Sequence, residues 1–303
     1  MNPPYGKNST WNNTDTVYTL QETNFFYTLW DAGGIDTLDA RTATSGWTIN
    51  LPNDALSTLV DTKVGFAAPT NDISVGTPHT LVWLTGDYEN ILGSSYADTI
   101  NGNLFNNTIN GGRGNDKIDG GAGIDTAVYQ GVHTGYTVAI ASGGVVLTDK
   151  TANRDGSDSL VNVERAKFTD GTLALDIAPG QNAGEVYRLY QAAFARTPDM
   201  PGFKYHLNDM ESNGLPLWQI ASNFLASPEF SSKYGSNPSD TQYINALYKN
   251  VLNRTPAESE VAWYQNQFTT KAMDYQAALI GFSESPENVA LVGSAIANWI
   301  WLG

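Results

Sequence analysis

Residues 93–128 combine glycine and acidic residues at a fixed spacing, and these residue types can build an oxygen-lined cation site. Each nine-residue segment opens with glycine and carries an aspartate or asparagine at its sixth position. Glycine tolerates positive φ angles, so a tight glycine turn lets several carbonyl oxygens converge. A carboxylate after the turn adds negative charge, and a hard cation such as calcium takes six to eight oxygen ligands. The spacing therefore predicts cation binding at the sixth positions, which are Asp98, Asn107, Asp116 and Asp125.

The element that must position these residues is a nonapeptide in four copies, at 93–101, 102–110, 111–119 and 120–128. Its pattern is G-G-x-G-x-D-x-U-x, where U is apolar; the eighth positions are Ile100, Ile109, Ile118 and Ala127. One copy cannot bury its apolar residue alone, whereas stacked copies form a continuous core. Nucleotide binding is excluded for this stretch because neither a G-x-G-x-x-G loop nor a G-K-[ST] ending occurs. A flexible Gly/Asp linker remains the alternative.

The nonapeptide pattern resembles the RTX family of calcium-binding repeats, which 111–128 matches fully and 93–110 in degenerate form. The resemblance implies a parallel β-roll in which two nonapeptides make one coil, with several calcium ions between turns eighteen residues apart. Asp98 and Asp116 would then face one row of ions. Asn107 and Asp125 would face the other row, with a weaker ion at Asn107. The glycines implied to contribute ligands are Gly111, Gly112, Gly114, Gly120, Gly121 and Gly123.

Two segments upstream, TLWDAGGIDTLDA at 28–40 and GDYENILG at 86–93, resemble the beginning of the C-terminal domain of serralysin-type metallopeptidases. That resemblance implies further calcium ligands at Asp31, Gly33, Gly34, Asp36, Asp87 and Glu89. NTDTVYTL at 13–20 resembles a third ligand stretch, through the carbonyls of Thr14 and Thr16, but lacks the family's Arg-x-Gly. The alternative for the aspartates is local turn chemistry, because Asp and Gly dominate β-turns.

Downstream of the repeats, the sequence predicts strands that close the β part. Residues 136–149 alternate apolar and polar positions around Ser-Gly-Gly, which indicates a β-hairpin. Residues 155–176 resemble a common closing segment of such rolls. Asp155, Asp158 and Glu164 could hold one more ion there, or could equally be turn residues.

After residue 184 the apolar period changes from two to 3.6, which indicates helices. One predicted helical face recurs at an offset of 58, and its members are Val186, Leu189, Tyr190, Ala193 and Phe194, then Ile244, Leu247, Tyr248, Val251 and Leu252. Thr-Pro and Ser-Pro pairs recur at the same offset and predict helix N-caps at Thr197, Ser227, Thr255 and Ser285. The pattern resembles a bacterial helical domain of unknown function that is often joined to RTX segments.

Two groups of side chains in the helical part leave alternatives open. Arg196 and Arg254 could form anion pockets, but bonding to helix-end carbonyls is the favoured interpretation. Tyr205, Trp218 and Trp263 could form a sugar-stacking platform, but burial in the core is favoured. The apolar ending IANWIWLG could pack on the helices or belong to a C-terminal secretion signal.

The fold class predicted from these patterns is a multidomain β-then-α chain. A parallel β-roll with flanking β-sandwich-like strands precedes an all-α domain made of two repeats. The expected boundaries are 1–92 for the serralysin-like β segment, 93–128 for the β-roll, 129–177 for its β-hairpin cap, 178–184 for a linker, and 185–303 for the helical domain with the secretion signal.

Composition limits the partners. The formal charge is −15, from 31 acidic and 16 basic residues, so nucleic acid and anionic membranes would repel this chain. There is no cysteine, which excludes disulfides and thiolate metal sites. No apolar run approaches the roughly 20 residues of a membrane span, and MNPPYGKNST lacks a signal-peptide pattern.

No catalytic constellation is apparent in the sequence. A serralysin-type zinc peptidase needs H-E-x-x-H-x-x-G-x-x-H, whereas His79, His133 and His206 are far apart and outside that frame. There is no G-x-S-x-G motif either. We therefore expect a non-catalytic, secreted, extracellular bacterial calcium-binding protein that folds on calcium after type I secretion. The alternatives are the C-terminal part of a serralysin-like metallopeptidase, and a surface-layer, adhesin, self-assembling or glycan-binding module at the cell surface.

Overall fold

The computed structural model describes residues 13–53, 55–57, 60–74, 78–141 and 143–303. The stretch 1–12, which holds the segment without a signal-peptide pattern, lies outside the described residues. The chain divides into an N-terminal unit that ends at Leu175 and a C-terminal unit that spans Asp176–Leu302. The two units differ in secondary structure, since the first is built mainly of β-strands and the second of helices.

The N-terminal unit contains short strands and one helical turn, α1, at Thr70–Ser74. Its strands are β1 Val17–Thr19, β2 Phe26–Trp30, β3 Thr37–Asp39, β4 Trp47–Asn50, β5 Ala55–Ser57, β6 Val60–Pro69, β7 Leu81–Thr85, β8 Asn90–Leu92, β9 Thr99–Asn103, β10 Thr108–Asn110, β11 Lys117–Gly121, β12 Thr126–Val128, β13 Tyr136–Ala141, β14 Gly144–Asp149, β15 Ser157–Val161, β16 Arg165–Phe168 and β17 Gly171–Ala174.

Successive strands from β8 to β12 alternate between two sheets, because each nonapeptide supplies one turn and one strand. The first sheet contains β1-β3-β8-β10-β12-β16-β17 in spatial order, and the second contains β13-β14-β15-β11-β9-β4-β6-β7-β2. Strands eighteen residues apart pair in parallel, so that Ile109 lies opposite Ile91 and Ile118 lies opposite Ile100. Turns eighteen residues apart are thereby stacked on the same side of the unit.

Two rows of apolar side chains fill the space between these sheets. The first sheet supplies Leu38, Ile91, Ile109, Ala127 and Ala166, and the second supplies Ile49, Ile100, Ile118 and Leu160. All nine are at most 2% exposed. Burying an isoleucine or leucine side chain stabilises a fold by about 2 kcal/mol. The prediction that eighth-position residues form a continuous core is confirmed.

Antiparallel strands flank the parallel rows at both ends. β13 and β14 form the predicted hairpin, with Tyr136 opposite Asp149 and Ala141 opposite Gly144; Ser142 at its tip lies outside the described residues. β14 pairs with β15, which returns the chain to a parallel position beside β11. β6 pairs antiparallel with β4 and β7 at the other end.

The C-terminal unit consists of short helices and a two-residue strand, β18, at Ile300–Trp301. The helices are α2 Asn182–Phe194, α3 Met200–Glu211, α4 Leu217–Leu225, α5 Pro228–Tyr234, α6 Asp240–Leu247, a π-helical turn Tyr248–Leu252, α7 Glu258–Thr269, α8 Tyr275–Ser283 and α9 Pro286–Gly293. α2 packs against α3, α8 and α9. The apolar face predicted on α2 is buried throughout. At the offset of 58, Leu252 is half-buried and the other four members are buried.

Two of the four predicted N-caps are confirmed. Ser227 and Ser285 each accept a hydrogen bond from a first-turn amide, and proline follows each of them. The prediction at Thr197 is wrong, because α3 begins at Met200 and Asp199 caps it through the Gly202 amide. The prediction at Thr255 is also wrong, since α7 begins at Glu258. Asp199 supplies a carboxylate acceptor nearer to the helical residues, which places the start of α3 later than the Thr-Pro pair indicates.

Neither favoured interpretation of the helical side chains survives. Arg196 forms a two-point ion pair with Glu229, at 2.6 and 2.7 Å, and Arg254 does the same with Glu260, at 2.7 and 2.6 Å. Their main partners are therefore carboxylates rather than helix-end carbonyls or free anions. The three aromatics are exposed instead of buried, with exposed fractions of 64% for Tyr205, 44% for Trp218 and 51% for Trp263. Each lies on the solvent face of its helix.

No helix among the described residues is long and apolar enough to cross a membrane.

Candidate metal centre

Sixth-position side chains eighteen residues apart are joined by hydrogen bonds. The backbone amide of Asp98 donates to Oδ1 of Asp116 at 2.8 Å, and the amide of Asn107 donates to Oδ1 of Asp125 at 2.7 Å. Each carboxylate therefore spans two stacked turns. We use "turn" for positions one to six of a nonapeptide. The pairs Asp98–Asp116 and Asn107–Asp125, which the eighteen-residue spacing predicts to lie on the same side, are therefore adjacent in the structure.

These hydrogen bonds between sixth positions form two rows, which we call ladders. Both ladders continue beyond the four copies on the C-terminal side. The Asp116 amide donates to Oδ1 of Asp158 at 3.0 Å, and the Asp125 amide donates to Oε2 of Glu164 at 2.8 Å. Asp158 and Glu164 thus occupy sixth positions of degenerate copies. Leu160 and Ala166, two residues after each, take the matching core positions. A search for an acidic residue two positions before a buried apolar one could have found them.

Hydrogen bonds of the same kind also occur on the N-terminal side. Oδ1 of Asp36 accepts from the Thr16 amide at 2.9 Å, and the Asp36 amide donates to Oε2 of Glu89 at 2.7 Å. The segments 31–39 and 84–92 are therefore further degenerate copies of the nonapeptide. In each of them the eighth position lies in the core rows. The two segments singled out upstream of the repeats share the geometry of the repeats themselves.

Three of the sixth-position carboxylates keep one oxygen without a hydrogen-bond donor. Oδ2 of Asp36, Asp116 and Asp125 is buried and receives no hydrogen bond from the described residues. Oδ2 of Asp31 shares this condition, while its Oδ1 accepts from the Tyr18 hydroxyl at 3.3 Å. Buried polar atoms are normally paired, and an unpaired charged one is strongly unfavourable. A bound cation would satisfy these four oxygens.

The fourth-position glycines bring backbone carbonyls close to these carboxylate-bearing turns. Gly34, Gly114 and Gly123 have φ angles of +129°, +127° and +119°. A methyl group added to Gly114 would lie 2.6 Å from the Tyr96 carbonyl oxygen, and one on Gly123 would lie 2.9 Å from that of Phe105. Only glycine permits this approach, so carbonyls of one turn face the carboxylate turn stacked on it.

The first-position glycines leave room for the carboxylate oxygens that lack a hydrogen-bond donor, which we call orphan oxygens. A methyl group on Gly120 would lie 2.6 Å from Oδ2 of Asp125, and one on Gly111 would meet Oδ2 of Asp116. The second-position glycines, Gly112 and Gly121, have φ angles of +91° and +95°. Methyl groups there would meet the carbonyl oxygens of Ser94 and Asn103, respectively.

Burial raises the pKa values of these carboxyl groups. Burial, and next the charge of Asp158, raise the pKa of Asp116 to about 8. Burial raises the pKa of Asp125 to about 7, and burial together with the charge of Asp31 raises the pKa of Asp36 to about 7. Groups with such pKa values favour either a proton or a cation as a partner near neutral pH.

The first two nonapeptides differ from the others, because their sixth-position side chains are satisfied within the protein. Oδ1 of Asp98 accepts from the Trp47 amide at 2.6 Å, and Oδ2 accepts from the Ser94 amide at 2.8 Å. Oδ1 of Asn107 accepts from the Asn103 amide at 3.0 Å. Ser94 and Asn103 stand at the second position, where the later copies have glycine.

The upstream residues that the sequence predicts as ligands differ in how closely they approach neighbouring groups. The Asp31 carbonyl would meet a methyl group on Gly86, whereas a methyl group on Gly33 would meet nothing within 4 Å. Burial, and among other causes the charge of Asp87, raise the pKa of Glu89. No group of three or more His, Cys, Asp or Glu side chains converges on one point in the part of the chain that the structure describes. Single carboxylates of neighbouring residues do lie near the orphan oxygens, since the charge of Asp158 contributes to the raised pKa of Asp116 and the charge of Asp31 to that of Asp36.

Residues 92–127 match the family model of the RTX calcium-binding nonapeptide repeat, in four copies. This segment is an RTX repeat. The chain therefore carries a calcium-binding segment of RTX type, and the orphan oxygens of Asp116 and Asp125 lie within it. Residues 221–292, from α4 to α9, match a domain of unknown function, DUF4214. No curated protein matches the chain.

Proposed function

We propose that the N-terminal unit is a calcium-binding β-roll that folds when the ion binds. The observation that carries this proposal is the set of buried orphan oxygens on Asp36, Asp116 and Asp125, of which those of Asp116 and Asp125 lie against first-position glycines. Parallel strands that alternate between two sheets support the β-roll architecture. The flanking degenerate copies extend the roll on both sides of the RTX segment.

Calcium fits these turns for three reasons. The available donors are carboxylate and carbonyl oxygens, which are the ligands that calcium prefers. In the RTX segment the ions would be held by Asp116 with the Ser94 and Tyr96 carbonyls, and by Asp125 with the Asn103 and Phe105 carbonyls. Calcium also tolerates irregular geometry, whereas magnesium requires a near-ideal octahedron and retains water. The positive charge of the ion compensates the negative charges of the buried carboxylates.

The coupling between binding and folding follows from the burial of those charges. Without a cation, a folded roll must protonate its buried carboxyl groups or keep them charged and unpaired, and both options oppose folding at neutral pH. The glycine residues of the turns also lose more conformational entropy on folding than other residues do. Because the unfolded chain has no preformed site, the binding free energy of calcium acts as folding free energy.

The test compares unfolding of the full chain by urea in calcium and in EGTA, followed by far-ultraviolet circular dichroism. We expect loss of β signal on chelation, with helical signal retained, and recovery at calcium concentrations of ~10⁻⁴–10⁻³ M. Magnesium at the same concentrations is the control and should restore little β structure. Identical unfolding curves in calcium and EGTA would contradict the proposal.

The biological setting we propose is secretion and action outside the cell. A roll that stays unfolded at the low calcium concentration of the cytosol is suited to a type I secretion channel and would fold in the extracellular medium. The net charge of −15 opposes binding to nucleic acid and anionic membranes. We propose that this chain is non-catalytic, and that His79 and His133 are surface residues paired with Asp72 and Asp170. A catalytic segment in the upstream reading frame would favour the serralysin-type alternative.

The exposed aromatics favour a second candidate function for the helical unit, which is glycan binding at a surface. Trp218 is 44% exposed, and its indole N–H donates to Oδ2 of Asp274 at 3.0 Å. Asp274 also lines an open groove of about 820 Å³ together with Phe268, Lys271 and Tyr275. An aromatic face beside polar side chains suits stacking and hydrogen bonding to a sugar.

We also propose that the helical unit arose from two repeats.

Retention on polysaccharide columns tests the glycan proposal. We expect the full chain to be retarded on at least one bacterial polysaccharide, and Trp218→Ala to abolish the retardation. Trp263→Ala is the matched control, since Trp263 is similarly exposed but packs edge-on against Tyr264, which does not line the groove, whereas Trp218 is hydrogen-bonded to Asp274 of the groove. Equal retention of Trp218→Ala and the unmodified chain would remove this candidate function.

A further inference from the structure

The turn 102–107 is joined to the turn 84–89 by two asparagine side chains. Nδ2 of Asn103 donates to the Tyr88 carbonyl at 2.9 Å. Nδ2 of Asn107 donates to the Tyr88 carbonyl at 3.3 Å and to the Glu89 carbonyl at 3.4 Å. Both asparagines are buried. We call these two side chains and their hydrogen bonds the amide bridge.

The surroundings of the amide bridge fix the orientation of both amides. Oδ1 of Asn103 accepts from the Phe105 amide at 2.9 Å and from Nδ2 of Asn107 at 3.2 Å. Oδ1 of Asn107 accepts from the Asn103 amide at 3.0 Å. The partners Tyr88 and Glu89 offer carbonyl oxygens, which can only accept hydrogen bonds. The amide nitrogens must therefore face those carbonyls.

The next turn pair on the same side of the roll provides the contrast. There the Phe105 carbonyl faces Gly123, and Oδ2 of Asp125 has no donor among the described residues. At the amide bridge, position four is Phe105 instead of glycine, and N–H groups already occupy the carbonyl oxygens. A cation between the turns 84–89 and 102–107 would meet two N–H donors, so these residues do not fit calcium.

We propose that the amide bridge takes the place of a calcium ion between the turns 84–89 and 102–107. The amide N–H groups supply the partial positive charge that an ion supplies in the glycine turns. This inference rests on the proposed calcium-binding roll, and it departs from the weaker ion at Asn107 that the RTX resemblance implies. One stacking step of the roll is then independent of calcium and holds the upstream copies against the RTX segment.

Calcium counting in four forms of the full chain tests the inference, by native mass spectrometry at saturating calcium. Asn107→Asp replaces a donor by a carboxylate beside the carbonyls of Tyr88 and Glu89, and we expect one more ion per chain. Asn107→Ala should leave the number of ions unchanged, and it keeps the test decisive if Asn107→Asp fails to fold. Asp125→Asn is the matched control on the same side of the roll, and it should bind one ion fewer.

Three results would contradict the expected numbers of bound ions. One ion fewer in Asn107→Ala would overturn the inference, because Asn107 would then be a ligand. An unchanged number in folded Asn107→Asp would overturn it as well. An unmodified chain that binds no calcium would overturn the proposed function and the inference with it, whereas the first two results leave the proposed function intact.

Discussion

Asp116→Asn is expected to stabilise the N-terminal unit in EGTA and to destabilise it in calcium. In the folded state without calcium the Asp116 carboxyl group is buried, with one oxygen unpaired and a pKa raised to about 8 by burial and by Asp158. Asparagine removes that charge and keeps an oxygen for the Asp98 amide, so we expect a gain of about 3 kcal/mol in the free energy of unfolding. In calcium the variant loses an ion, and the sign reverses.

The pH dependence of the difference in EGTA follows from the direction of the pKa shift. Because the folded-state pKa of Asp116 lies above the unfolded value of about 4, its contribution to stability is full below pH ~4 and is lost as the pH rises through about 8. The uncharged amide of the Asp116→Asn variant does not titrate and avoids this loss. The advantage of Asp116→Asn should therefore be absent near pH ~4 and largest above pH ~8. Because the unmodified unit is largely unfolded in EGTA at neutral pH, the folded fraction is followed by the β signal in circular dichroism over this pH range, in a titration with an osmolyte that promotes folding.

Asp119→Asn is the matched control, since it makes the same charge change three residues away. Oδ1 of Asp119 accepts hydrogen bonds from the Gly121 amide at 3.1 Å and from Nδ2 of Asn162 at 2.8 Å, and the Oδ1 of an asparagine can accept both. We expect little change in either buffer. An effect of Asp116→Asn with the same sign in calcium and in EGTA would argue against an ion at this carboxylate.

The repeat period was sufficient to predict the central part of the fold. A strict spacing of nine residues places Ile100 and Ile118 in one core row and Ile109 and Ala127 in the other. The alternation of sheets follows from that spacing, because a turn and a short strand together use one nonapeptide. These features depend on local sequence and could be read without tertiary information.

The extent of the roll could not be predicted from the period, because insertions interrupt it. The carboxylates that continue the ladders lie 42 residues after Asp116 and 39 after Asp125. Glu89 lies 53 residues after Asp36. The interval between Asp36 and Glu89 contains β4, β6 and β7, and the interval after Asp125 contains the β13–β14 hairpin, so these intervals add further strands to the second sheet. The ladders are continuous in space although the sequence spacing is broken.

The chemistry at the sixth positions also depends on more than residue type. Asp98 and Asp116 are both buried aspartates, but only Asp116 keeps an oxygen without a donor. The difference comes from the second position of the turn, where Ser94 donates its amide and hydroxyl to Asp98, whereas the amide of Gly112 donates to Oδ1 of Asn110 at 2.9 Å. The second and fourth positions thus decide whether a carboxylate is available to an ion.

In the helical unit, the internal repeat did not predict the partners of the charged side chains. Arg188 is buried and binds Glu284, 96 residues away, through two hydrogen bonds of 2.8 and 2.6 Å. Neither residue has a counterpart of the same kind at the offset of 58, where Ala246 and Ala226 stand. Similarly, the glutamate partners of Arg196 and Arg254 do not correspond to each other at that offset. An internal repeat predicts shared helix faces, but not the partners that these faces meet.

Gly114→Ala is expected to destabilise the N-terminal unit strongly and to weaken calcium binding. Gly114 has a φ of +127°, and an added methyl group would lie 2.6 Å from both the carbonyl carbon and oxygen of Tyr96. Backbone strain and the forced displacement of the stacked turn together cost about 4 kcal/mol. Displacing that carbonyl also moves an oxygen away from the Asp116 carboxylate. Urea unfolding in calcium, with a calcium titration of each protein, measures both effects.

Gly143→Ala separates the conformational strain from the steric approach. Gly143 lies in the β13–β14 hairpin with a φ of +95°, and a methyl group there would meet nothing within 4 Å. This variant should lose only about 1 kcal/mol, with unchanged calcium affinity, because it has the strain without the collision. If the two variants were equally destabilised, positive φ alone would explain the fourth-position glycine. A larger loss at Gly114, with weakened calcium binding, means that the glycine is required because the Tyr96 carbonyl must approach the carboxylate turn.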